Sequence, residues 1–170
     1  MTLKIYYSNL PFWRAEVLRV SLFLGNIEFE DIRISREEFR KVILTGKLNS
    51  GIEVPFNQLP VIEIDGKIIG QTGAIARYCG KLSGLYPQDN FLSAKVDQII
   101  DTATDITNLV SPTIKEKDYL IKNEMRERLS KKLLPRWFNY LENLLKKEIN
   151  SKWFVDGKMS IADIAIWRLL

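Results

Sequence analysis

Histidine is absent from this 170-residue chain, which limits the chemistry that its side chains could perform. A Ser-His or Cys-His nucleophile pair cannot be built, and a histidine-ligated zinc site is excluded. Acid–base or nucleophile chemistry must therefore come from tyrosine, serine, lysine, carboxylates or a reactive group on a bound cofactor. The one cysteine, Cys79, lies in an apolar stretch with no basic neighbour arranged to activate it, as is typical of a core residue.

Three short stretches place polar groups where ligands commonly bind. Tyr7 ends a strand-like alternation of apolar residues, and the carboxyl edge of an α/β sheet commonly exposes a ligand site. Leu59-Pro60 precedes another strand, where a cis proline would turn the Leu59 backbone outward to pair with an extended peptide. Gln71-Thr72 begins a helical pattern, whose free amides suit a carboxylate. The ordinary alternatives are a core tyrosine, a turn proline and helix capping by Thr72.

The elements that must position these groups alternate over the first half of the chain. Strands are predicted over 3–7, 29–34, 59–64 and 67–69, and helices over 14–24, 35–46 and 72–82. The second helix is expected to turn Phe39, Val42 and Ile43 inward, and the polar segment 46–55 is predicted to be a mobile loop. The order β-α-β-α-β-β-α is that of a thioredoxin-like α/β domain, with a right-handed crossover after the first strand.

The second half of the chain is predicted to be entirely helical. Apolar residues at spacings of three and four mark one helix face over 92–110, and Pro112 is expected to end that helix. Another helix is predicted over about 122–148, kinked at Pro135, and Ser160 with Asp163 forms a capping-box pattern before a last apolar helix. We therefore expect a thioredoxin-like domain at 1–82, a linker at 83–90 and an all-α domain at 91–170 that lacks a carboxyl-terminal segment.

Composition and charge limit the cellular compartment and the classes of partner that are expected. The formal net charge is +4, but basic residues are interleaved with acidic ones, so nucleic acid is not expected as a partner. No apolar run reaches the roughly 18 to 20 residues that span a bilayer, so no membrane is expected either. A single cysteine excludes an intrachain disulfide framework and indicates a reducing, cytoplasmic setting.

Four motifs, taken in order, resemble those of the cytosolic glutathione transferases over essentially the whole chain. They are Tyr7 with the Arg-Ala-Glu element at 14–16, the stretches FNQLPV at 56–61 and QTGAIARY at 71–78, and the late helix cap at 160–163. Within that family the chain is most similar to the tyrosine-type, sigma-like enzymes, which include glutathione-dependent prostaglandin D synthases. The resemblance implies a homodimeric detoxification enzyme that uses glutathione as co-substrate, requires no metal, and conjugates the thiolate to a hydrophobic electrophile.

The resemblance also implies roles for individual residues. Tyr7 would stabilise the glutathione thiolate, with Arg14 reinforcing it; the Leu59 backbone would pair with the cysteinyl unit, and Gln71 with Thr72 would hold the γ-glutamyl carboxylate. Phe39 stands near the position of a tryptophan that contacts the glycyl end, where Lys41 or Lys47 would supply a cation. The full predicted glutathione-binding set is Tyr7, Phe39, Lys47, Gln58, Leu59, Pro60, Gln71, Thr72 and Asp101.

The activating hydroxyl has two candidates. In tyrosine-type relatives the strand tyrosine stands six residues before the arginine, a spacing that Ser8 matches, whereas Tyr7 stands seven before Arg14. We predict Tyr7 because it shares the strand face of the apolar residues, while Tyr6 should point the other way. Ser8 is the alternative.

Three aspartates recur every four residues on the first long helix, at Asp97, Asp101 and Asp105. Like charges on one stripe repel unless they meet cations, and a solvated face is the ordinary interpretation. The resemblance implies instead that Asp101 reaches across a twofold dimer to the γ-glutamyl amine of the neighbouring subunit. A divalent cation held by this stripe at the dimer axis is a third interpretation.

Two other functions share the same motifs. A glutathione-dependent isomerase of lipid peroxides would differ only in the second pocket, which the resemblance places between the turn after Tyr7, the first long helix and the carboxyl-terminal end. A transferase-like assembly module would need no active site. A working glutathione site is favoured over such a module by the joint presence of Tyr7, Arg14, Gln71, Thr72 and Asp101.

Overall fold

The computed structural model describes residues 2–148 and 151–170 and begins with a four-stranded mixed sheet. The strands are β1 (Leu3–Ser8), β2 (Glu30–Ile34), β3 (Val61–Ile64) and β4 (Lys67–Gly70), in the order β2-β1-β3-β4. β1 is parallel to β2 and antiparallel to β3, which is antiparallel to β4. Since only β1 and β2 are parallel, a single helical crossover suffices, and the predicted thioredoxin-like class is confirmed.

Three helices pack on this sheet: α1 (Glu16–Leu24), α2 (Arg36–Thr45) and α3 (Thr72–Leu82). α2 begins where the Ser35 hydroxyl accepts a hydrogen bond from the Glu38 amide at 3.1 Å, and it ends at Gly46, whose φ of 70° is left-handed. Val42 is buried, but Ile43 is 45% exposed, so its predicted inward orientation is wrong. One residue of helix rotates the side chain by about 100°, which carries Ile43 off the buried face.

The segment 46–55 folds back on itself beside α2. The Val54 amide donates to the Gly46 carbonyl at 2.7 Å, and the Leu48 amide donates to the Ile52 carbonyl at 3.0 Å. Leu48 and Val54 are buried. The composition of this segment predicts a mobile loop. The structure instead holds it by two buried apolar side chains and by backbone hydrogen bonds.

The remaining helices are α4 (Asn90–Lys115), α5 (Tyr119–Arg128), α6 (Leu134–Lys147) and α7 (Ile161–Trp167). Pro112 lies inside α4 rather than at its end, so that prediction is wrong. A proline removes only its own amide, and the next turn is still closed by the Glu116 amide on the Pro112 carbonyl at 3.0 Å. The predicted kink before Pro135 is a π-helical turn over Leu129–Leu133, which accommodates the amide that proline lacks.

α7 joins the two halves of the molecule, because it packs on α4, α1 and α3. Its start is fixed as predicted: the Asp163 carboxylate accepts from the Ser160 amide at 2.8 Å. α3 approaches α7 so closely that a Cβ at Gly80 would lie 3.0 Å from Ile161. Cys79, the residue before Gly80, is buried, and burial raises the pKa of its thiol to about 12, as suits a core residue.

Candidate functional site

A cleft of about 700 Å³ opens between the end of β1, the start of α3 and the second half of α4. It brings together most of the predicted site: Tyr7, Ser8, Arg14, Phe39, Gln58, Leu59, Pro60, Gln71 and Thr72. Lys47 and Asp101 do not line it. A larger depression of about 840 Å³, lined by residues within 2–3 and 23–30, contains none of the predicted residues, so the predicted site corresponds to the smaller cleft.

Tyr7 lies on the floor of this cleft with 4% of its surface exposed. Its hydroxyl oxygen accepts a hydrogen bond from the Arg14 amide at 3.4 Å. Its own proton has no acceptor among the described residues, so it is available to a ligand. Tyr6 points to the other face of the sheet, as predicted, and donates to the Glu63 carboxylate at 2.6 Å.

The electrostatic surroundings of Tyr7 keep its phenol protonated but favour a nearby anion. Burial raises the pKa of Tyr7 above its ordinary value, while the Arg14 amide and the positive charges of Arg14, Arg168 and Arg19 oppose that rise. The Arg19 guanidinium lies 5.9 Å from the centre of the Tyr7 ring. A neutral hydrogen-bond donor in a positive field is suited to bind an anionic acceptor.

Arg14 reaches the site from the turn before α1. Its guanidinium donates to the Ser111 hydroxyl on α4 at 3.2 Å, and burial lowers its pKa. No carboxylate of the described residues pairs with it, whereas Arg19 pairs with Glu16 and with Asp31. Arg14 therefore keeps an uncompensated charge in the cleft wall.

Arg168 is a second uncompensated cation, and nothing in the sequence motifs marks it. It is 2% exposed, and one terminal nitrogen, Nη2, donates to the Thr107 hydroxyl at 3.1 Å. Its Nε and Nη1 have no partner among the described residues. Burial, followed by repulsion from Arg14, lowers its pKa to about 10, and Tyr7 opposes this. The one available signal is a charge within the otherwise apolar stretch 164–170.

The start of α3 forms the second part of the cleft. Gln71 is the N-cap, with a left-handed φ of 72°, and no side chain caps the helix. The predicted capping by Thr72 is therefore wrong, because Thr72 is already the first helical residue. The amides of the first turn face no competing side-chain cap, which leaves them free for a carboxylate.

The Leu59–Pro60 peptide bond is cis, as the sequence led us to expect. The Leu59 amide and carbonyl make no hydrogen bond to another described residue, although Leu59 itself is buried. A buried side chain thus anchors a free strand-like backbone at the cleft edge, which an extended peptide can pair with.

The lysines predicted for the glycyl end lie outside the cleft lining. Lys47 pairs with Glu53 at 3.2 Å, and Lys41 donates to the Asn49 side chain at 2.9 Å. Lys115 of α4 is the lysine that does line the cleft. The sequence did not single it out, because its position depends on how α4 packs across the sheet.

The aspartate stripe of α4 is bound by an arginine of α3. Arg77 donates to Asp97 and to Asp101, each at 2.7 Å, and the Tyr86 hydroxyl donates to Asp97 at 2.8 Å. Repulsion between Asp97 and Asp101, the first two members of the stripe, is thereby offset inside the chain. Among the described residues, no group of three or more carboxylates or thiols could hold a metal ion.

Apolar side chains that the motifs did not include form the outer part of the cleft. They come from the turn after β1 and from α4: Leu10, Phe12, Trp13 and Ile114, with Asn108, Ser111 and Lys115 beside them. Phe12 packs edge-to-face on Trp167 of α7, with ring centres 5.4 Å apart. The arrangement pairs a polar floor with an apolar mouth.

No described helix is long and apolar enough to cross a membrane.

Two family models match the chain, one to each half. "Glutathione S-transferase, N-terminal domain" matches residues 3–81, and "Glutathione S-transferase, C-terminal domain" matches residues 104–170. A glutathione S-transferase of Anopheles gambiae is 32% identical over 161 residues, which cover 95% of this chain and 74% of the relative. Hematopoietic prostaglandin D synthase of Gallus gallus is 32% identical over 160 residues, which cover 94% of this chain and 73% of the relative.

Solved structures agree with these sequence relationships. The structure of prostaglandin synthase D of Nilaparvata lugens superposes with a TM-score of 0.86 at 32% identity, covering 99% of this chain and 79% of that one. The likeness therefore extends over both the sheet and the helical half.

Proposed function

This chain belongs to the glutathione S-transferase family and is a glutathione transferase, and we propose that glutathione binds in its cleft and is ionised there to the thiolate. We propose further that Tyr7 is the activating residue. One observation carries the assignment: the Tyr7 hydroxyl accepts from the Arg14 amide and keeps its own proton for a ligand. The glutathione sulfur would accept a hydrogen bond from the Tyr7 hydroxyl as the thiol ionises. Ser8 also lines the cleft and is the competing candidate.

The magnitude of this hydrogen bond is sufficient for activation. A free thiol has a pKa of about 8.5, and one pKa unit corresponds to about 1.4 kcal/mol. A charge-assisted hydrogen bond of roughly 1.5 to 3 kcal/mol lowers the thiol pKa by about one to two units. Because burial raises the pKa of Tyr7, the phenol stays protonated at neutral pH and can donate that bond.

The tripeptide would lie along the polar floor of the cleft. Its γ-glutamyl carboxylate would bind the free amides of α3 with Gln71 and Thr72, and its cysteinyl backbone would pair with Leu59. Further contacts with the peptide would come from Pro60, Gln58 and Phe39, which line the same floor. In this assignment residues 1–82 form the glutathione-binding domain, 83–90 a linker, and 91–170 the helical domain.

Two predicted glutathione contacts require more than this chain's own cleft. Lys47 would have to exchange Glu53 for the glycyl carboxylate, because the two side chains now pair at 3.2 Å. Asp101, with its side chain 68% exposed, would contact the γ-glutamyl amine of a partner subunit in a homodimer. Both contacts are part of the proposal, together with the sigma class, a cytoplasmic location and a role in detoxification.

The electrophile would rest on the apolar mouth formed by Phe12, Trp13 and Ile114. Such a surface accepts hydrophobic molecules of many shapes, which suits conjugation. A glutathione-dependent lipid-peroxide isomerase is the second candidate, because prostaglandin D synthases are among the relatives. Parallel product assays with a chloronitrobenzene and with an endoperoxide separate the two: conjugate formation supports the first, and isomerisation without conjugation supports the second.

An ultraviolet difference titration of bound glutathione tests the assignment of Tyr7. The wild type should show a thiolate band well below the pKa of free glutathione, and Tyr7→Phe should lose it while still binding the tripeptide. Tyr6→Phe, on the opposite face of the same strand, is the matched control and should retain the band. Full conjugation activity in Tyr7→Phe with loss in Ser8→Ala would instead assign activation to Ser8.

A further inference from the structure

Arg168 and Arg14 dock on neighbouring turns of α4, each through a side-chain hydroxyl. Arg168 donates to the Thr107 hydroxyl at 3.1 Å, and that hydroxyl donates to the Ala103 carbonyl at 2.7 Å. One turn further on, the Ser111 hydroxyl donates to the Thr107 carbonyl at 2.7 Å. The Arg14 guanidinium donates to that same Ser111 hydroxyl at 3.2 Å. Two guanidinium groups are thus docked on hydroxyls four residues apart.

The proton directions of the two contacts are consistent. The hydroxyls of Thr107 and Ser111 each donate their single proton to a backbone carbonyl and accept from an arginine with a lone pair. A different group of Arg14, its backbone amide, donates to the Tyr7 hydroxyl oxygen at 3.4 Å. The Tyr7 proton has no acceptor among the described residues, and Tyr7 lines the cleft. Arg14 therefore connects this face of α4 with the hydroxyl that the proposed mechanism uses.

The charge of Arg168 has no counter-ion within the described residues. Its Nε and Nη1 lack any partner there, and the side chain is 2% exposed. The charged and titratable groups that act on it are Arg14, from the turn before α1, and Tyr7, from β1. The positive charges that lower the pKa of Tyr7 are those of Arg14, Arg168 and Arg19. From α4 the contacts of Arg168 are a hydroxyl and a carbonyl, which carry no net charge.

An unpaired buried cation is costly, so a fold that retains one needs a compensating use for it. We propose that Arg168 is a positioning residue of the thiolate site, where it holds a second uncompensated positive charge one helical turn from the Ser111 hydroxyl on which Arg14 docks. Through Thr107 and Ser111 it also fixes the surface of α4 on which Arg14 docks. The inference rests on the proposed function, because the anion that the two cations favour is the glutathione sulfur.

Titration of the bound glutathione thiol in Arg168 variants tests this role. Arg168→Met keeps the side-chain length and removes the charge, so the thiol pKa should rise by about one unit. Arg168→Lys keeps the charge and should restore most of that shift. Arg136→Met, which removes a charge from the exposed surface of α6, should leave the thiol pKa at its wild-type value.

Two results would overturn the inference: an unchanged thiol pKa in Arg168→Met, or an equal rise in Arg168→Met and Arg168→Lys. Thr107→Val covers the case in which Arg168→Met does not fold. It keeps the side-chain shape of Thr107 and removes the hydroxyl that Arg168 binds, so a smaller rise in the thiol pKa is expected. No rise in Thr107→Val would then count against the positioning role.

A measurement without glutathione separates this inference from the proposed function. The thiol introduced by Tyr7→Cys is titrated instead, because an ordinary thiol ionises near pH 8.5, where Arg168 with its pKa of about 10 is still charged. Combining Tyr7→Cys with Arg168→Met removes that positive charge and should raise the pKa of the introduced thiol. If wild type binds glutathione without ionising it but this rise is seen, the proposed function fails and Arg168 keeps its electrostatic role. If wild type depresses the thiol pKa and Arg168→Met leaves it unchanged, the proposed function holds and the role of Arg168 fails.

Discussion

Arg77 and Arg14 both dock on α4, but the helix offers them different partners. In its first half α4 presents the carboxylates of Asp97 and Asp101, each 2.7 Å from the Arg77 guanidinium. In its second half it presents the hydroxyl of Ser111, 3.2 Å from the Arg14 guanidinium. One arginine is neutralised by the fold, and the other is left for an anion that comes from outside.

The effect on the two guanidinium groups follows from those partners. Burial lowers the pKa of both, but the hydrogen bonds of Arg77 to Asp101 and Asp97 outweigh burial and raise its pKa overall. For Arg14 burial prevails, with a small opposing effect of Tyr7. The same residue type, docked on the same helix, is therefore neutralised where it meets carboxylates and keeps its charge where it meets a hydroxyl.

Arg14→Met should have the largest effect on chemistry, because it keeps the backbone amide that bonds Tyr7 but removes the positive charge that opposes the rise in the Tyr7 pKa. We expect the thiol pKa of bound glutathione to rise by about one to two units and conjugation below about pH 7 to fall about 10- to 100-fold. The pH profile of kcat/KM measures this. A loss of activity that is equal at every pH would show that Arg14 only shapes the cleft. The contrast between a neutralised Arg77 and a charge-donating Arg14 would then fail.

Arg77→Met should have the largest effect on stability, because it leaves the aspartate stripe without its cation. The pairs are partly exposed, with 26% of the Arg77 side chain and 68% of the Asp101 side chain open to solvent, so the full cost of a buried pair does not apply. We expect the free energy of unfolding in urea to fall by about 1 to 2 kcal/mol. The thiol pKa should stay unchanged, and a shift comparable to that in Arg14→Met would contradict the division between the two regions.

Arg168→Met should do the reverse and stabilise the protein by about 1 kcal/mol, because a methionine of similar length removes an unpaired buried charge. The folded-state pKa of Arg168, about 10, lies below its ordinary value, so the unfolded chain binds this proton more tightly. The charged side chain therefore destabilises the folded state at all pH values below about 10, and this cost lessens as pH rises through that value. Urea unfolding of both proteins should give a constant difference between about pH 6 and 9. A less stable Arg168→Met would show that the Thr107 bond outweighs the charge.

The sequence predicted the parts of the site that depend on local structure. Tyr7 could be placed because strand alternation fixes the face on which it lies, and Gln71 because the start of a helix is a local signal. Even there, the local rules failed where packing decides. Pro112 continues α4 instead of ending it, and Ile43 turns outward although its neighbour Val42 is buried.

The charge pairings could not be predicted, because they join residues that lie far apart in the chain. Arg168 meets Thr107 across 61 positions, and Arg14 meets Ser111 across 97. Periodicity identified the stripe of Asp97 and Asp101, yet not the arginine of α3 that neutralises it. Helix packing decides which arginine receives a carboxylate, and no pattern within one helix contains that information.

Tyr86→Phe should have the smallest effect and tests how independent the two regions are. It removes the hydrogen bond from the Tyr86 hydroxyl to Asp97, 2.8 Å long, while Arg77 still binds that carboxylate. Because the site is half-buried and keeps its cation, we expect the free energy of unfolding to fall by about 0.5 to 1 kcal/mol. In combination with Arg77→Met the loss should exceed the sum of the two single changes, since Asp97 would then lose both donors.

The same Tyr86→Phe protein, titrated with glutathione, should give the wild-type thiol pKa. Asp97 lies in the first half of α4, well before Thr107 and Ser111, and its bonds run to α3 and to Tyr86 rather than to the cleft. A changed thiol pKa would mean that α4 transmits the loss of a bond at one end to the arginines docked at the other. Paired and unpaired arginines would then belong to a single electrostatic network, and the fold could adjust thiolate formation by altering pairs that never contact the ligand.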